Sequence, residues 1–275
     1  MWTLSGFADE ISPDLQTQLD TVTDLGLTHI ELRSVWEVNV LDLSAAQRAE
    51  VASALQERGL RLSSIGSPIG KIGITDDFAP HLDRMRHAAD VALEMRAPFV
   101  RIFSFFIPEG DDPAAHRDEV MRRMTALAEV AAEAGVMLVH ENEKHIYGDV
   151  PQRCLDIVRT VDNDHLRLAW DAANFVQCGV RPFTDGYELL RPFTEYVQIK
   201  DALLADGQVV PAGAGDGEVR ETIRALAADG FDGFFSLEPH LAAAGTFGGY
   251  SGPDLWRAAH AAFTAILDEE GIPYA

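Results

Sequence analysis

The sequence predicts a (β/α)8 barrel, an α/β fold in which one domain takes up the whole chain, residues 1–275. Short apolar runs alternate with longer segments of helical periodicity, and this alternation can be counted eight times. Glycines recur at the junctions where a predicted helix gives way to a strand. A chain of 275 residues with 47% hydrophobic content can bury the core that such a barrel requires. The alternative is a doubly wound open sheet, but no GxGxxG sequence follows the first predicted strand.

The eight predicted strands are spaced almost regularly along the chain. They are residues 2–7, 28–33, 60–66, 98–104, 136–141, 166–171, 195–200 and 233–238. In a parallel barrel the carboxyl ends of all strands meet at one face. Polar groups that follow different strands are therefore expected to converge there.

Capping signals mark the ends of several predicted helices. Ser12-Pro13 predicts the first turn of a helix, because proline is tolerated there. Ser44, with Gln47 three residues later, predicts an N-cap and a capping box. Two longer segments place apolar residues at helical spacing, as expected for an outer ring of amphipathic helices: 116–134 and 253–269.

The composition argues against several classes of protein. A net charge of −22, with a pI of about 4.6, argues against a nucleic-acid partner, which would need a basic patch. Cys154 and Cys178 form neither a CxxC pair nor a spaced Cys/His pattern, so neither a disulfide scaffold nor a zinc finger is expected. The sequence has no run of 18 uncharged apolar residues and no leader-like start. We therefore expect a cytoplasmic protein that does not bind a membrane.

Four predicted strands in the second half of the chain end in acids that can bind a hard cation. These acids are Glu141, Asp171, Asp201 and Glu238. A single acid at such a junction more often caps the next helix or pairs with a lysine, whereas four in succession favour a cation site. Asp171 could fill either role, because Asn174 follows it by one helical turn.

Two histidines lie close to these acids in the sequence. Alternation along a strand places His140 on the face opposite Glu141, so we expect His140 to pack or to support the site rather than bind a cation. His240 follows Glu238 by two residues and could share its face, where it would contact a substrate.

The chain resembles the xylose isomerase-like TIM barrels, which include sugar-phosphate isomerases, keto-sugar epimerases, inosose dehydratases and endonuclease IV. The resemblance covers essentially the whole length. The segments that carry it are Gly6-Phe7-Ala8-Asp9-Glu10-Ile11, His29-Ile30-Glu31-Leu32-Arg33, Val100-Arg101-Ile102-Phe103-Ser104, Glu141-Asn142-Glu143, Asp171-Ala172-Ala173-Asn174 and Ile199-Lys200-Asp201.

For the site, the resemblance implies a divalent cation held by the ends of four strands. The implied ligands are Glu141, Asp171, residue 198 and Glu238. The chain departs from the family pattern at the third of these, since Gln198 stands where the histidine of a His-x-Lys-Asp motif is usual. An amide oxygen in place of an imidazole nitrogen leaves only oxygen ligands. Such a set favours Mn²⁺ or Mg²⁺, with Co²⁺ or Zn²⁺ as alternatives.

For function, the resemblance implies an isomerase or epimerase that acts on a small sugar or sugar derivative. The cation would polarise the substrate carbonyl and stabilise an enediolate, while Glu141 and Glu238 act as base and acid. Loss of a β-hydroxyl from the same enediolate would make the enzyme an inosose-type dehydratase. A third alternative is a ligand-binding barrel with a degenerate metal site. The presence of Gln198 in place of the usual histidine supports this alternative. A nuclease resembling endonuclease IV is disfavoured by the acidic composition and by the few histidines near strand ends.

Further polar residues at or beyond strand ends are candidates for substrate contact. They are Lys71, Arg101, Lys144, Asn174, Lys200, His240 and Glu31. Arg101 could instead only neutralise nearby acids.

The glycine-rich segment 211–217 is expected to be a plain turn rather than a phosphate site. A homodimer is implied by the resemblance alone.

Overall fold

The computed structural model describes residues 1–241 and 251–275 and shows a TIM barrel of eight parallel strands with helices between them. The barrel strands are β1 Thr3–Gly6, β2 His29–Leu32, β3 Arg61–Ile65, β4 Phe99–Ile102, β5 Met137–Glu141, β6 Leu166–Asp171, β7 Thr194–Ile199 and β8 Phe234–Leu237. All eight predicted strands are present, and their ends lie within two residues of the predicted ones. The prediction of a TIM barrel is confirmed.

The strands follow one another around the barrel in the order β1-β8-β7-β6-β5-β4-β3-β2. The remaining seam, between β1 and β2, has a single bridge that pairs Phe7 with Glu31, so the barrel is nearly closed. Two short antiparallel ribbons lie outside it, at Ser34–Val35 with Val38–Asn39 and at Asp201–Ala202 with Val209–Val210. Both ribbons start just beyond the carboxyl ends of barrel strands.

Helices connect the strands and cover the outside of the barrel. In the described ranges they are α1 Leu15–Asp24, α2 Ala45–Glu57, α3 Ala79–Met95, α4 Arg117–Ala134, α5 Pro151–Val161, α6 Ala172–Gln177, α7 Pro182–Leu190, α8 Val219–Ala228 and α9 Gly252–Glu269. The segments predicted from apolar spacing at 116–134 and 253–269 correspond to α4 and α9. Their apolar faces pack onto the strands, which leaves the carboxyl ends of the strands to form the site.

Local capping explains where α1 and α2 begin. The capping box of α2 is confirmed, because Ser44 Oγ accepts the Gln47 N–H at 3.3 Å and Gln47 Oε1 accepts the Ser44 N–H at 3.0 Å. The predicted start of α1 at Ser12-Pro13 is wrong by two residues. Asp14 is the N-cap, and its carboxylate accepts the Thr17 N–H at 2.8 Å, so Ser12-Pro13 form the approach to the helix.

The inside of the barrel is filled in layers. Val139, Ala169 and Tyr196 form an apolar layer, with Phe99 and Phe234 packed against it. Residues two positions further along each strand face the same way, so they form the next layer toward the carboxyl ends. That layer is polar, and it includes Glu141, Asp171 and Gln198.

The two cysteines are free thiols, as expected. Cys154 is buried in α5, and burial raises the pKa of its thiol above the usual range. In the part of the chain that the structure describes, no helix combines the length and apolarity that crossing a membrane requires.

Candidate active site

Three carboxylates from three strands converge at the carboxyl end of the barrel. Glu141 ends β5, Asp171 ends β6 and Glu238 follows β8, and each offers a ligand atom within 4.8 Å of the others. All three are buried, with exposed fractions of 2%, 0% and 3%. Carboxylate oxygens are the donors that hard divalent cations prefer. These residues therefore fit the cation that the resemblance implies.

Polar partners fix the positions of Glu141 and Asp171. Glu141 accepts hydrogen bonds from Arg101 Nη1 at 3.1 Å and from Asn174 Nδ2 at 3.2 Å. Asp171 Oδ1 accepts the Asn174 N–H at 2.8 Å and so caps α6. The capping role considered for Asp171 is present, while its Oδ2 lies 2.9 Å from Lys200 Nζ. One carboxylate can thus begin a helix and face the site at once.

Glu238 lies between two positive side chains. Lys200 Nζ donates to its Oε2 at 2.8 Å, and Arg33 Nη1 donates to its Oε1 at 3.0 Å. The Nδ1 atom of His240 is 3.9 Å from Oε1. Lys200 therefore bridges Asp171 and Glu238.

The same environment separates the proton affinities of these acids. Burial raises the pKa of Glu141 to about 8, although the Arg101 charge opposes the shift. Burial likewise raises the pKa of Asp171 to about 6, against the opposing charge of Lys200. Burial also acts to raise the pKa of Glu238, but the surrounding positive charges, led by Lys200 and including Arg33 and Arg101, together outweigh it and hold this pKa well below the usual range.

Gln198 lies in β7, where it pairs with Asp171 across the β6–β7 ladder. Its Nε2 donates to Glu31 Oε2 at 3.0 Å. Its Oε1 is buried and has no hydrogen-bond partner among the described residues. A buried amide oxygen without a hydrogen-bond partner fits the role of cation ligand expected for Gln198.

Glu31 contacts polar side chains of β7 and β8 inside the barrel. Its Oε2 accepts hydrogen bonds from the Tyr196 hydroxyl at 2.9 Å and the Ser236 hydroxyl at 2.7 Å, as well as from Gln198. Its exposed fraction is only 1%. Glu31, which was expected to contact substrate, thus accepts a hydrogen bond from the candidate ligand Gln198.

The other expected substrate-contact residues fall into two groups. Arg101, Asn174 and Lys200 touch the three carboxylates directly. Lys71 lies further out, where its Nζ is 2.9 Å from Glu143 Oε2 and 4.2 Å from the centre of the Phe103 ring. Lys144 is exposed.

His240 reaches the site from the segment that follows β8. Its backbone N–H donates to Glu10 Oε2 at 2.8 Å, and its Nε2 lies 3.5 Å from Glu10 Oε1. Burial lowers the pKa of His240 to about 4, against the opposing charge of Glu238. His240 thus joins the ends of β1 and β8, and its ring lies near Glu238.

Sequence reasoning missed three charged residues on the β1–β2 side of the site. Arg33 Nε donates to Asp9 Oδ2 at 2.7 Å, and its Nη2 lies 3.5 Å from Glu10 Oε1. Glu10, Glu238 and His240 also bring ligand atoms within 4.8 Å of one another, but Arg33 already contacts both carboxylates of that group. The sequence did contain a signal for these residues, because Asp9 and Glu10 follow the first predicted strand and Arg33 ends the second.

The glycine-rich segment closes around an aspartate of the chain itself. The backbone N–H groups of Gly213, Gly215 and Gly217 donate to the Asp201 carboxylate at 2.9, 3.0 and 2.8 Å. The Ala202 N–H donates to the same carboxylate at 2.8 Å. These donors are therefore already used, as expected for a structural turn rather than a phosphate site.

His140 is fully buried and packs closely against Gly148. Neither ring nitrogen has a hydrogen-bond partner within the described residues, and burial lowers the pKa of the ring to about 3. Because His140 alternates with Glu141 along β5, its ring points away from the carboxylates.

A family model described as xylose isomerase-like TIM barrel matches residues 19–266. A 2-epi-5-epi-valiolone 7-phosphate 2-epimerase from Actinoplanes sp. is 27% identical over 183 residues, which are 64% of each chain. A 3-dehydroshikimate dehydratase from Bacillus anthracis is 21% identical over 196 residues, which are 69% of each chain. The matched regions thus span about two thirds of these relatives.

Solved structures share the fold over nearly the whole chain. A D-tagatose 3-epimerase-like protein superposes with a TM-score of 0.79 at 16% identity, over 97% of both chains. A xylose isomerase-like TIM barrel protein from Mycobacterium smegmatis, solved in complex with magnesium, gives a TM-score of 0.70 at 22% identity, over 98% of this chain and 96% of that one.

Proposed function

The chain belongs to the xylose isomerase-like TIM barrel family and is an enzyme, and we propose that it is a divalent-cation-dependent isomerase or epimerase of a small sugar or sugar derivative. The observation that carries the proposal is the convergence of the Glu141, Asp171 and Glu238 carboxylates at the end of the barrel where TIM-barrel enzymes hold their active sites.

The ligands of the proposed cation are Glu141, Asp171, Glu238 and Gln198. The first three converge, and Gln198 pairs with Asp171 and keeps a buried amide oxygen without a partner among the described residues. Because all four offer oxygen, Mg²⁺ or Mn²⁺ is favoured over Zn²⁺ or Co²⁺. When bound, such a cation would polarise the carbonyl of a ketose-like substrate.

Glu141 and Glu238 are the proposed proton-transfer residues. They end strands that are separated by β6 and β7 around the barrel, so they reach the centre of the site from different sides. One carboxylate would remove a proton next to the substrate carbonyl and the other would return one. Return to the opposite face of the same carbon gives an epimer, whereas return to the neighbouring carbon gives an isomer.

The remaining polar residues are proposed to bind the substrate. Arg101, Asn174, Lys200 and His240 lie within or beside the carboxylate cluster and carry donors for hydroxyl or anionic groups. Lys71 and Lys144 lie further out and would contact the distal end of a substrate. Glu31 would act through Gln198, from which it accepts a hydrogen bond.

A dehydratase is the second candidate, because one matched relative is a 3-dehydroshikimate dehydratase. The two activities begin with the same proton removal and differ in whether a β-hydroxyl then leaves. Analysis of products from ketoses, inososes and dehydroshikimate separates them, since an epimer or isomer retains the mass of the substrate and a dehydration product loses one water.

Metal content tests the proposal most directly. Purified, untagged protein should carry near-stoichiometric Mn or Mg, and Glu141→Gln and Glu238→Gln should lose it. The exposed Glu57→Gln variant on α2 is a matched control that should retain the metal. Failure to bind any metal after incubation with excess Mn²⁺ would contradict the proposal and favour a ligand-binding barrel without turnover. Sedimentation of the same samples tests the predicted homodimer.

A further inference from the structure

The ammonium group of Lys200 occupies the space between two of the proposed cation ligands. It lies 2.9 Å from Asp171 Oδ2 and 2.8 Å from Glu238 Oε2. The exposed fraction of Lys200 is 7%, so these carboxylates replace the water that would otherwise solvate its charge. A lysine ammonium is a compact point charge on a flexible stem, and it can take the place of another small cation.

The oxygens that Lys200 contacts are the ones that other partners leave available. Asp171 Oδ1 already accepts the Asn174 N–H, so Oδ2 is the atom left for a cation. Glu238 Oε1 already accepts from Arg33, so Oε2 is the atom left there. Lys200 contacts these two remaining atoms. A divalent cation that uses both carboxylates therefore has to compete with Lys200.

The ion pairs of the three carboxylates also indicate that a divalent cation has to compete with Lys200. Arg101 contacts Glu141, Arg33 contacts Glu238, and Lys200 contacts both Asp171 and Glu238. Each of the three carboxylates thus has a positive partner from the chain itself. Each arginine contacts one of the three carboxylates, whereas Lys200 contacts two of them and carries its charge on a flexible four-carbon stem.

We propose that Lys200 is a tethered competitor for the divalent cation. It holds Asp171 and Glu238 together in the cation-free protein and leaves them when the cation binds. Once displaced, its ammonium is free to donate to a substrate oxygen beside the cation. This inference rests on the proposed function, because it requires that a divalent cation binds to these carboxylates.

The first test measures Mn²⁺ affinity by titration calorimetry in wild type, Lys200→Met and Lys200→Arg. We expect Lys200→Met to bind Mn²⁺ at least about tenfold more tightly than wild type and its metal-free form to melt at a lower temperature. Lys200→Arg keeps the positive charge, so it should not bind Mn²⁺ more tightly than wild type. The exposed Arg159→Met on α5 also removes a positive charge, is the matched control and should resemble wild type in both measurements.

A second measurement needs no change at Lys200. The chain has only the lysines 71, 144 and 200, so ¹⁵N-lysine labelling gives a simple spectrum. The buried Lys200 ammonium should give a signal protected from exchange, and Mg²⁺ should shift it or remove its protection.

The outcomes separate the two proposals. If wild type binds Mn²⁺ and Lys200→Met binds it equally or less tightly, the competitor role is overturned and the cation site stands. If Mg²⁺ binds and the Lys200 signal does not change, the competitor role is likewise overturned. If neither wild type nor Lys200→Met binds Mn²⁺ at millimolar concentration, both proposals are overturned.

Discussion

The Asn142 side chain and the Asp171 backbone form a reciprocal pair of hydrogen bonds. Asn142 Nδ2 donates to the Asp171 carbonyl at 2.9 Å, and Asn142 Oδ1 accepts the Asp171 N–H at 2.9 Å. The pair joins β5 to β6 at the level of the site. Because Glu141 precedes Asn142 directly, this pair fixes the separation between Glu141 and Asp171, two of the proposed ligands.

Asn142→Ala should lower the free energy of unfolding by roughly 1–3 kcal/mol, since it leaves a buried N–H and a buried carbonyl of Asp171 without partners. Asn142→Asp should cost more, because an ionised aspartate cannot donate to the Asp171 carbonyl. Urea denaturation measures both variants. Gln56→Ala, at an exposed position on α2, should stay within about 0.5 kcal/mol of wild type. Equal stability of Asn142→Ala and wild type would contradict the role of the pair.

Gln198→His should move the metal preference toward Zn²⁺. One imidazole nitrogen can donate to Glu31, as the amide does now at 3.0 Å, and the other can replace the amide oxygen as a ligand. We expect the ratio of Mn²⁺ to Zn²⁺ dissociation constants to rise by roughly tenfold. Competition dialysis followed by elemental analysis measures this ratio. An unchanged ratio would indicate that residue 198 does not bind the cation.

Asp201→Asn should loosen the segment between β7 and α8. The asparagine has only one oxygen to accept the backbone N–H groups that now converge on the carboxylate, and its NH₂ group would face some of these donors. We expect a loss of roughly 1–3 kcal/mol in stability and faster proteolysis within residues 203–218. Asp206→Asn is the control in the same loop, because Asp206 is exposed and accepts one backbone N–H, from Gln208.

His81 should make the protein less stable in mild acid. Its Nε2 accepts the Gly70 N–H at 2.7 Å, which requires a neutral ring. Burial, with smaller contributions from Arg84 and Arg123, lowers its pKa from 6.5 to about 4. Between these values the unfolded chain binds the proton more readily, so stability is complete above pH 6.5 and falls as the pH drops toward 4.

The variant His81→Gln isolates this effect, because glutamine can accept the same hydrogen bond and does not titrate. The stability of wild type relative to His81→Gln should fall by roughly 1–3 kcal/mol between pH 7 and pH 4. Chemical denaturation at several pH values measures the difference, which should be flat above pH 7. A constant difference at every pH would show that the ring does not titrate in this way.

The fold could be predicted because its signals are local. Strand positions follow from short apolar runs, and the start of α2 follows from Ser44 and Gln47, which lie within one turn of each other. The error at α1 was also local, since Asp14 accepts the N-cap hydrogen bond that Ser12-Pro13 was expected to organise. Signals of this kind act over a few residues and do not depend on the rest of the barrel.

The site was predictable only in part, because its pairings join distant residues. Strand ends indicate which residues share a face, and this brought Glu141, Asp171 and Glu238 together in the prediction. It also grouped Asp201 with them, whereas the backbone N–H groups of the glycine-rich turn bind the Asp201 carboxylate. They do not indicate which charges pair, and Arg33 meets Glu238 across 205 positions of sequence. They also do not indicate the partner of each side chain: Glu31 and Arg33 lie two residues apart, yet Glu31 accepts a hydrogen bond from Gln198 while Arg33 donates to Glu238.

Glu238 accepts from Arg33 on one oxygen and from Lys200 on the other, so the effect of a substitution at either position depends on the residue at the other. A substitution at Arg33 changes the charge that Lys200 faces, so a mutation tolerated in one sequence background would be harmful in another. Directed evolution toward a new substrate would therefore meet strong epistasis at this carboxylate. Libraries that vary both positions together should reach active variants that stepwise single changes cannot.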